Sequence, residues 1–214
     1  MVDVQIYYTF IDYLDHYKQV LQNMNIDLDI TLSQGDKSVQ EIYESVNSDT
    51  SFCRDENSIS KKHLVSLIQS DIILYADIDD KVAGVLCFAF SEKEGEIGIH
   101  LNGICSPSRY AKQRVGENLI KSLITMSKVN DVKYIDLNCK GSIMKYYRDK
   151  YGFKVMDTEP ASNSENTFYF MKLDLSKTGG YIKRKHKQPY KKVYKKSKRN
   201  DIRKRRKCTR KLKK

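Results

Sequence analysis

The sequence predicts an α/β domain built on a mixed sheet over residues 1–176 and a disordered Lys/Arg-rich tail over residues 177–214. Three observations carry that prediction. Runs with strand character alternate with helix-period runs, yet three strands follow one another directly, which excludes a repeated βαβ array. Charge is divided along the chain: residues 181–214 hold 19 Lys and Arg against the single acid Asp201, whereas residues 1–180 hold 20 basic and 26 acidic residues. The net charge of +12 therefore belongs to the tail, and the overall hydrophobic fraction of 40% understates the apolar content of the domain.

"VDVQIYYTF" is rich in β-branched and aromatic residues and reads as a first strand. "YLDHYKQVLQNM" places Leu14, Tyr17, Val20, Leu21 and Met24 at helical spacing. "DKSVQEIYESV" and "SISKKHLVSLIQ" are two further short helices, the second capped by Ser60, with a polar loop over residues 45–58 between them. "IILYADI", "VAGVLCFAF" and "EIGIHLNGICS" then form three antiparallel strands, turned at "DDK" and "SEKEG". The acids Glu92, Glu94 and Glu96 read as a solvated turn. A helix follows with Val115, Leu119, Leu123 and Met126 on one face, widened by Ile120 and Ile124. "KYIDLNC" is a short buried strand, and "GSIMKYYRDKYG" is a helix ending at Gly152 as a C-cap. "FKVMD" and "TFYFMKLDL" close the sheet as two strands.

Five cysteines are scattered without a CxxC pair or a histidine partner at zinc spacing, so no metal site is expected. Cys87, Cys105 and Cys139 lie in strand-like runs, where cysteine behaves as a small buried hydrophobe, and a reducing compartment is the expected setting. No run reaches the roughly 20 apolar residues that span a bilayer, and the N-terminus is too acidic and polar for a secretory signal. The expectation is an intracellular protein, cytoplasmic or nuclear, with no membrane partner.

"ICSPSRYAKQRVGENLIKSLI", residues 104–124, runs from strand through a basic turn into a helix. Amides of a first helical turn have no partner within the helix, and the helix dipole favours anions there. The order of these parts fits either an ordinary basic loop or a phosphate site, in which Gly116 would allow close backbone approach.

"RYAKQRVGENLI" resembles the acyl-CoA loop of the GNAT acetyltransferase superfamily, Q/R-x-x-G-x-G/A before a helix. "YYRDKYGF" resembles that family's helix end, FYxKxGF, with one extra residue. Gly116 matches the loop pattern, while Ala111 stands at the Q/R position and Arg114 at the first glycine. The resemblance covers about residues 3–175 and implies a GNAT-like fold, with acetyl-CoA as cosubstrate and an amine acceptor that the sequence does not name. It places the pyrophosphate against Arg114, Val115, Gly116, Glu117 and Asn118. The pantetheine arm would pair like an added strand with the backbone of Ile104, Cys105 and Ser106. It also implies Tyr147 as the acid that protonates the departing thiolate, with Tyr146 as a rival. Several histone-acetylating members carry a glutamate where His100 stands; His100 is therefore a candidate base, and Glu96, four residues earlier, a second acting through water. The altered loop supports a different class of function, a GNAT-like scaffold or packaging protein without catalysis. Similar loops occur in acetyltransferases of large DNA viruses, which would add the virion to the expected locations.

The tail cannot build a core, because its charges repel and its apolar residues are few. Lys183, Arg184, Lys185, Arg203, Arg205 and Arg206 are candidate phosphate contacts for nucleic acid, RNA or DNA, with Tyr181, Tyr190 and Tyr194 placed to stack on bases. "RKRRK" also fits a nuclear import signal, and an acidic protein surface is the rival partner.

Overall fold

A computed structural model describes residues 4–9, 19, 21–54, 59–159 and 167–176. The tail with its candidate phosphate contacts lies outside the described residues, as does most of the first expected helix, of which 21–23 is seen as helical.

Among the described residues, eight strands form one mixed sheet: β1 (Gln5–Thr9), β2 (Ser33–Gln34), β3 (Ile72–Ile78), β4 (Lys81–Lys93), β5 (Glu96–Cys105), β6 (Tyr134–Lys140), β7 (Lys154–Glu159) and β8 (Phe168–Asp174). Their order is β2-β1-β3-β4-β5-β6-β8-β7. The helices are α1 (Val39–Ser48), α2 (Lys61–Ile68), α3 (Val115–Val129) and α4 (Gly141–Tyr151). Among the described residues, no helix is long and apolar enough to cross a membrane.

The continuous apolar runs of β3 and β4 follow from burial on both faces of the sheet. Ile72, Leu74 and Ala76 point into one core with Leu119, Leu123 and Met126 of α3; Ile73 and Tyr75 point into another with Ile42 and Val46 of α1 and Leu64 and Ile68 of α2. α1 begins with a reciprocal capping box, in which Ser38 and Glu41 each bond the other's backbone amide. Ser60 caps α2 as its sequence position predicts, accepting from the His63 amide at 3.2 Å. Gly152 ends α4 in the left-handed conformation, φ 82°, that its place after the helix predicts.

Two local expectations change. Ser91, Glu92 and Lys93 belong to β4, so the turn narrows to Glu94 and Gly95, both at positive φ, and Glu96 pairs with Lys93 as the first rung of β5. Cys105 is buried as expected but is not a free thiol: it is bonded to Cys53, 52 residues away, with Cα atoms 5.4 Å apart. Loop 49–53 lies along the chain leaving β5, where Phe52 bridges Pro107 and the Ser108 amide donates to Ser51. Cys87 and Cys139 are free and buried.

Two irregularities shape the centre of the sheet. Cys87 opposes Gly103 while Phe88 opposes Leu101, so Asn102 is an extra residue that bulges β5 against β4. On its other side β5 pairs in parallel with β6 over Gly98–Leu101 and Tyr134–Leu137 alone. Beyond that, β5 continues along β4 to Cys105, and β6 continues along β8 to Lys140. The two strands part, and a wedge opens between them.

Candidate active site

The wedge is a cleft of about 480 Å³. Its walls are His100 to Ile104 of β5 and Leu137 to Lys140 of β6, closed by α2 through His63 and by α4 through Ile143 and Tyr147. Backbone that is no longer laddered carries unmatched donors and acceptors, which suits an extended ligand lying between the strands.

His100 sits on the next-to-last rung before the strands part, directly opposite Asp136 of β6. Its Nδ1 is hydrogen-bonded to Oδ1 of Asp136, and its side chain keeps 32% of its surface exposed while that of Asp136 keeps 5%. One edge of the imidazole is thus held inside the sheet and the other is open to the cleft. Beside it, Asn102 donates to Asp71 at 2.8 Å, and burial pushes the Asp71 carboxyl above its ordinary value.

Tyr147 lines the same cleft and is 5% exposed, its ring packed edge-on against Tyr146 and Phe153. Burial pushes its hydroxyl above the usual tyrosine value, so it stays protonated, the form an acid requires. Cys139, also on the wall, is pushed up to about 11 by burial and stays a thiol. Tyr146 faces elsewhere: it is 40% exposed, bonds the Tyr151 hydroxyl at 3.0 Å and lines a different hollow. Glu96 is exposed beside the Glu94–Gly95 turn, about 13 Å along the strand from His100, and is not among the cleft residues.

A second hollow, about 470 Å³, lies at the start of α3, lined among others by Ser106, Tyr110, Arg114, Gly116 and Lys150. Arg114 is the last residue before the helix and takes the left-handed conformation, φ 55°. This is the position where the resembled loop has its first glycine, and the arginine adopts the backbone that glycine favours. No side chain caps the helix, so the amides of Val115, Gly116 and Glu117 lack an intrahelical acceptor. Asn118 differs, because its amide donates to the Arg114 carbonyl at 3.0 Å. The approach to Gly116 is open: a Cβ there would meet only Ile104 Cδ1, at 3.8 Å.

The cations at this helix start already share one carboxylate partner. The Glu117 carboxylate accepts from Lys121 at 2.6 Å and Lys150 at 2.7 Å, with Arg114 Nε at 4.0 Å. Lys121 first and Lys150 second hold its pKa down to about 2.

The structure therefore brings Tyr147 and His100 to one cleft with Ile104 on its wall. It brings Ser106, Arg114, Val115, Gly116 and Glu117 to the adjoining hollow, and leaves Glu96 outside both. Cys105 lines neither. Sequence reasoning does not find His63, Asn102, Asp136 or Lys150. One signal is present: Asp136 interrupts the apolar run of "KYIDLNC", and an acid inside a buried strand requires a partner.

Neither a family model nor a curated protein matches the sequence. Solved structures do match the fold. A structure from Desulfovibrio desulfuricans assigned to the GNAT family aligns with a TM-score of 0.53 at 13% identity, covering 81% of this chain and 100% of that one. The ribosomal-protein-S18-alanine N-acetyltransferase of Escherichia coli aligns at 0.52 and 15% identity, covering 69% of this chain and 96% of its own. The domain has the fold of GNAT acetyltransferases.

Proposed function

We propose that this chain is an acetyl-CoA-dependent N-acetyltransferase. The observation that carries the reading is the wedge between β5 and β6, which presents His100 and Tyr147 to one space and runs toward the uncapped start of α3. The acyl carrier's diphosphate rests on the amides of Val115 to Glu117, and its pantetheine arm lies along Ile104 to Ser106. The acceptor amine attacks the thioester carbon as His100 Nε2 takes its proton. The C–N bond forms, the C–S bond breaks, and the departing thiolate receives the Tyr147 hydroxyl proton.

A thermal-shift titration with acetyl-CoA tests the first step, since a ligand specific for the folded state raises the melting temperature; at 100 times its Kd the gain is about 2.7 kcal/mol. No shift at millimolar acetyl-CoA favours a second reading, a GNAT-like scaffold without catalysis. One observation supports that alternative: the Glu117 carboxylate stands at the helix start with Lys121 and Lys150 drawn to it, where a phosphate is expected.

In this proposal the tail binds nucleic acid, bringing the domain to it or to a substrate bound on it. Its charge and interleaved tyrosines support this. Replacing Lys183, Arg184, Lys185, Arg203, Arg205 and Arg206 by alanine should weaken RNA or DNA binding and flatten its salt dependence; a parent chain that binds an acidic protein but neither RNA nor DNA would favour the rival partner.

A further inference from the structure

The buried acid on β6 takes no part in the proton transfers between His100, Tyr147 and the substrates, yet it occupies a costly place. Asp136 is 3% exposed between the core residues Ile135 and Leu137. Burying a carboxylate costs several kcal/mol unless it is paired, and a structural imidazole is equally well satisfied by a backbone carbonyl or a neutral amide. The parallel register aligns His100 with Asp136, one rung before the fork where the two strands separate. Antiparallel pairing then sets Lys172 of β8 against the other side of Asp136, but its Nζ lies over the Tyr134 ring at 3.9 Å. The carboxylate's hydrogen bond goes to Nδ1 of His100. Asp136 does not line the cleft; His100 does.

We propose that Asp136 is a positioning residue for His100, holding the proton on Nδ1 so that the Nε2 lone pair faces the cleft at the mouth of the strand fork. Asp136 accepts a hydrogen bond throughout and takes no proton itself. When Nε2 receives the amine proton, the adjacent carboxylate stabilises the cation that forms. This role rests on the acetyltransferase reading, whereas the tautomer it requires does not.

Imidazole ¹⁵N NMR of the full chain, at a pH where the ring is neutral, tests the inference. His100→Gln assigns the signal among the four histidines of the sequence. The expected spectrum shows His100 protonated at Nδ1, and Asp136→Asn shifts it towards the Nε2-protonated form. Turnover of acetyl-CoA with peptides bearing lysine and free α-amino groups should fall about 10²-fold in kcat in Asp136→Asn, with KM for acetyl-CoA within twofold. An Nε2-protonated wild-type ring overturns the proposal even if Asp136→Asn does not fold. Loss of turnover in His100→Gln beside wild-type kcat in Asp136→Asn overturns the positioning role alone. Unchanged turnover in His100→Gln overturns the base assignment and this role together.

Discussion

The strand fork and the helix start are neighbours at the end of β5, but they are built in opposite ways. The fork holds its candidate reactive groups in place before any ligand arrives: His100 is tethered from behind, and Tyr147 is clamped between the rings of Tyr146 on α4 and Phe153 just beyond it. The helix start holds its cations in ion pairs. Lys121 and Lys150, which a diphosphate would recruit, already neutralise Glu117. A rigid site gains rate because its groups are oriented before the substrate enters. A site that must exchange one anion for another binds less tightly than its charge suggests, because an existing pair has to break first. In the proposed acetyltransferase reading, chemistry belongs to the fork and control of affinity to the helix start.

The largest effect that separates the two regions is on rate. Tyr147→Phe removes one hydroxyl from the fork and leaves the ring packing, so kcat should fall about 10²-fold while the melting temperature moves little. Tyr146→Phe, at the helix start, should leave kcat near wild type. Equal losses in the two variants would erase the division of labour, and steady-state kinetics with matched thermal melts decides it.

These two tyrosines also show what the sequence alone carries. "YYRDKYGF" identifies the helix and its end, because a glycine C-cap and an apolar periodicity are local signals. Choosing between adjacent tyrosines needs the azimuth of α4 against β6 and β8, which depends on tertiary packing. The three consecutive strands are legible for the same local reason. The His100–Asp136 rung is not, since register between β5 and β6 is set across the whole length of α3; nor is the Asn102 bulge, since the apolar pattern of β5 does not mark an extra residue against β4. Cys53 reads as a loop residue because nothing in its spacing from Cys105 marks them as neighbours.

Next in size is Gly116→Ala. The position is helical and open, so alanine should hold or raise stability, by up to about 1 kcal/mol. The same methyl projects into the space assigned to the diphosphate and should weaken acetyl-CoA binding about tenfold by calorimetry. Unaltered binding would move the ligand away from the helix start and leave the fork as the only site.

Glu117→Gln should give a smaller change in the other direction. Releasing Lys121 and Lys150 should tighten acetyl-CoA binding several-fold, with calorimetry at low and high salt as the check. The ion pairs also have a pH signature. With its folded pKa near 2, below the ordinary 4.5, Glu117 contributes stability that is fully present above pH 4.5 and is lost as pH falls towards 2. Melting temperatures of Glu117→Gln should therefore decline less over that window than those of the parent. Parallel declines would mean the pairs contribute nothing to stability, as solvent screening allows for the exposed Lys121 partner.

Arg114→Gly should have the smallest effect and makes the sharpest distinction. Arg114 holds a left-handed backbone that costs a side-chain-bearing residue about 1 kcal/mol relative to glycine, though glycine returns part of that gain through greater freedom in the unfolded chain. The melting temperature should stay level or rise by a few degrees. If the guanidinium, 77% exposed at the rim of the hollow, reaches a bound phosphate, acetyl-CoA affinity falls at the same time. Stability up with affinity down would show that the chain keeps a strained arginine for its charge. Stability up with affinity unchanged would show that the helix start binds through backbone amides alone, and that the contrast between the two regions owes nothing to this residue.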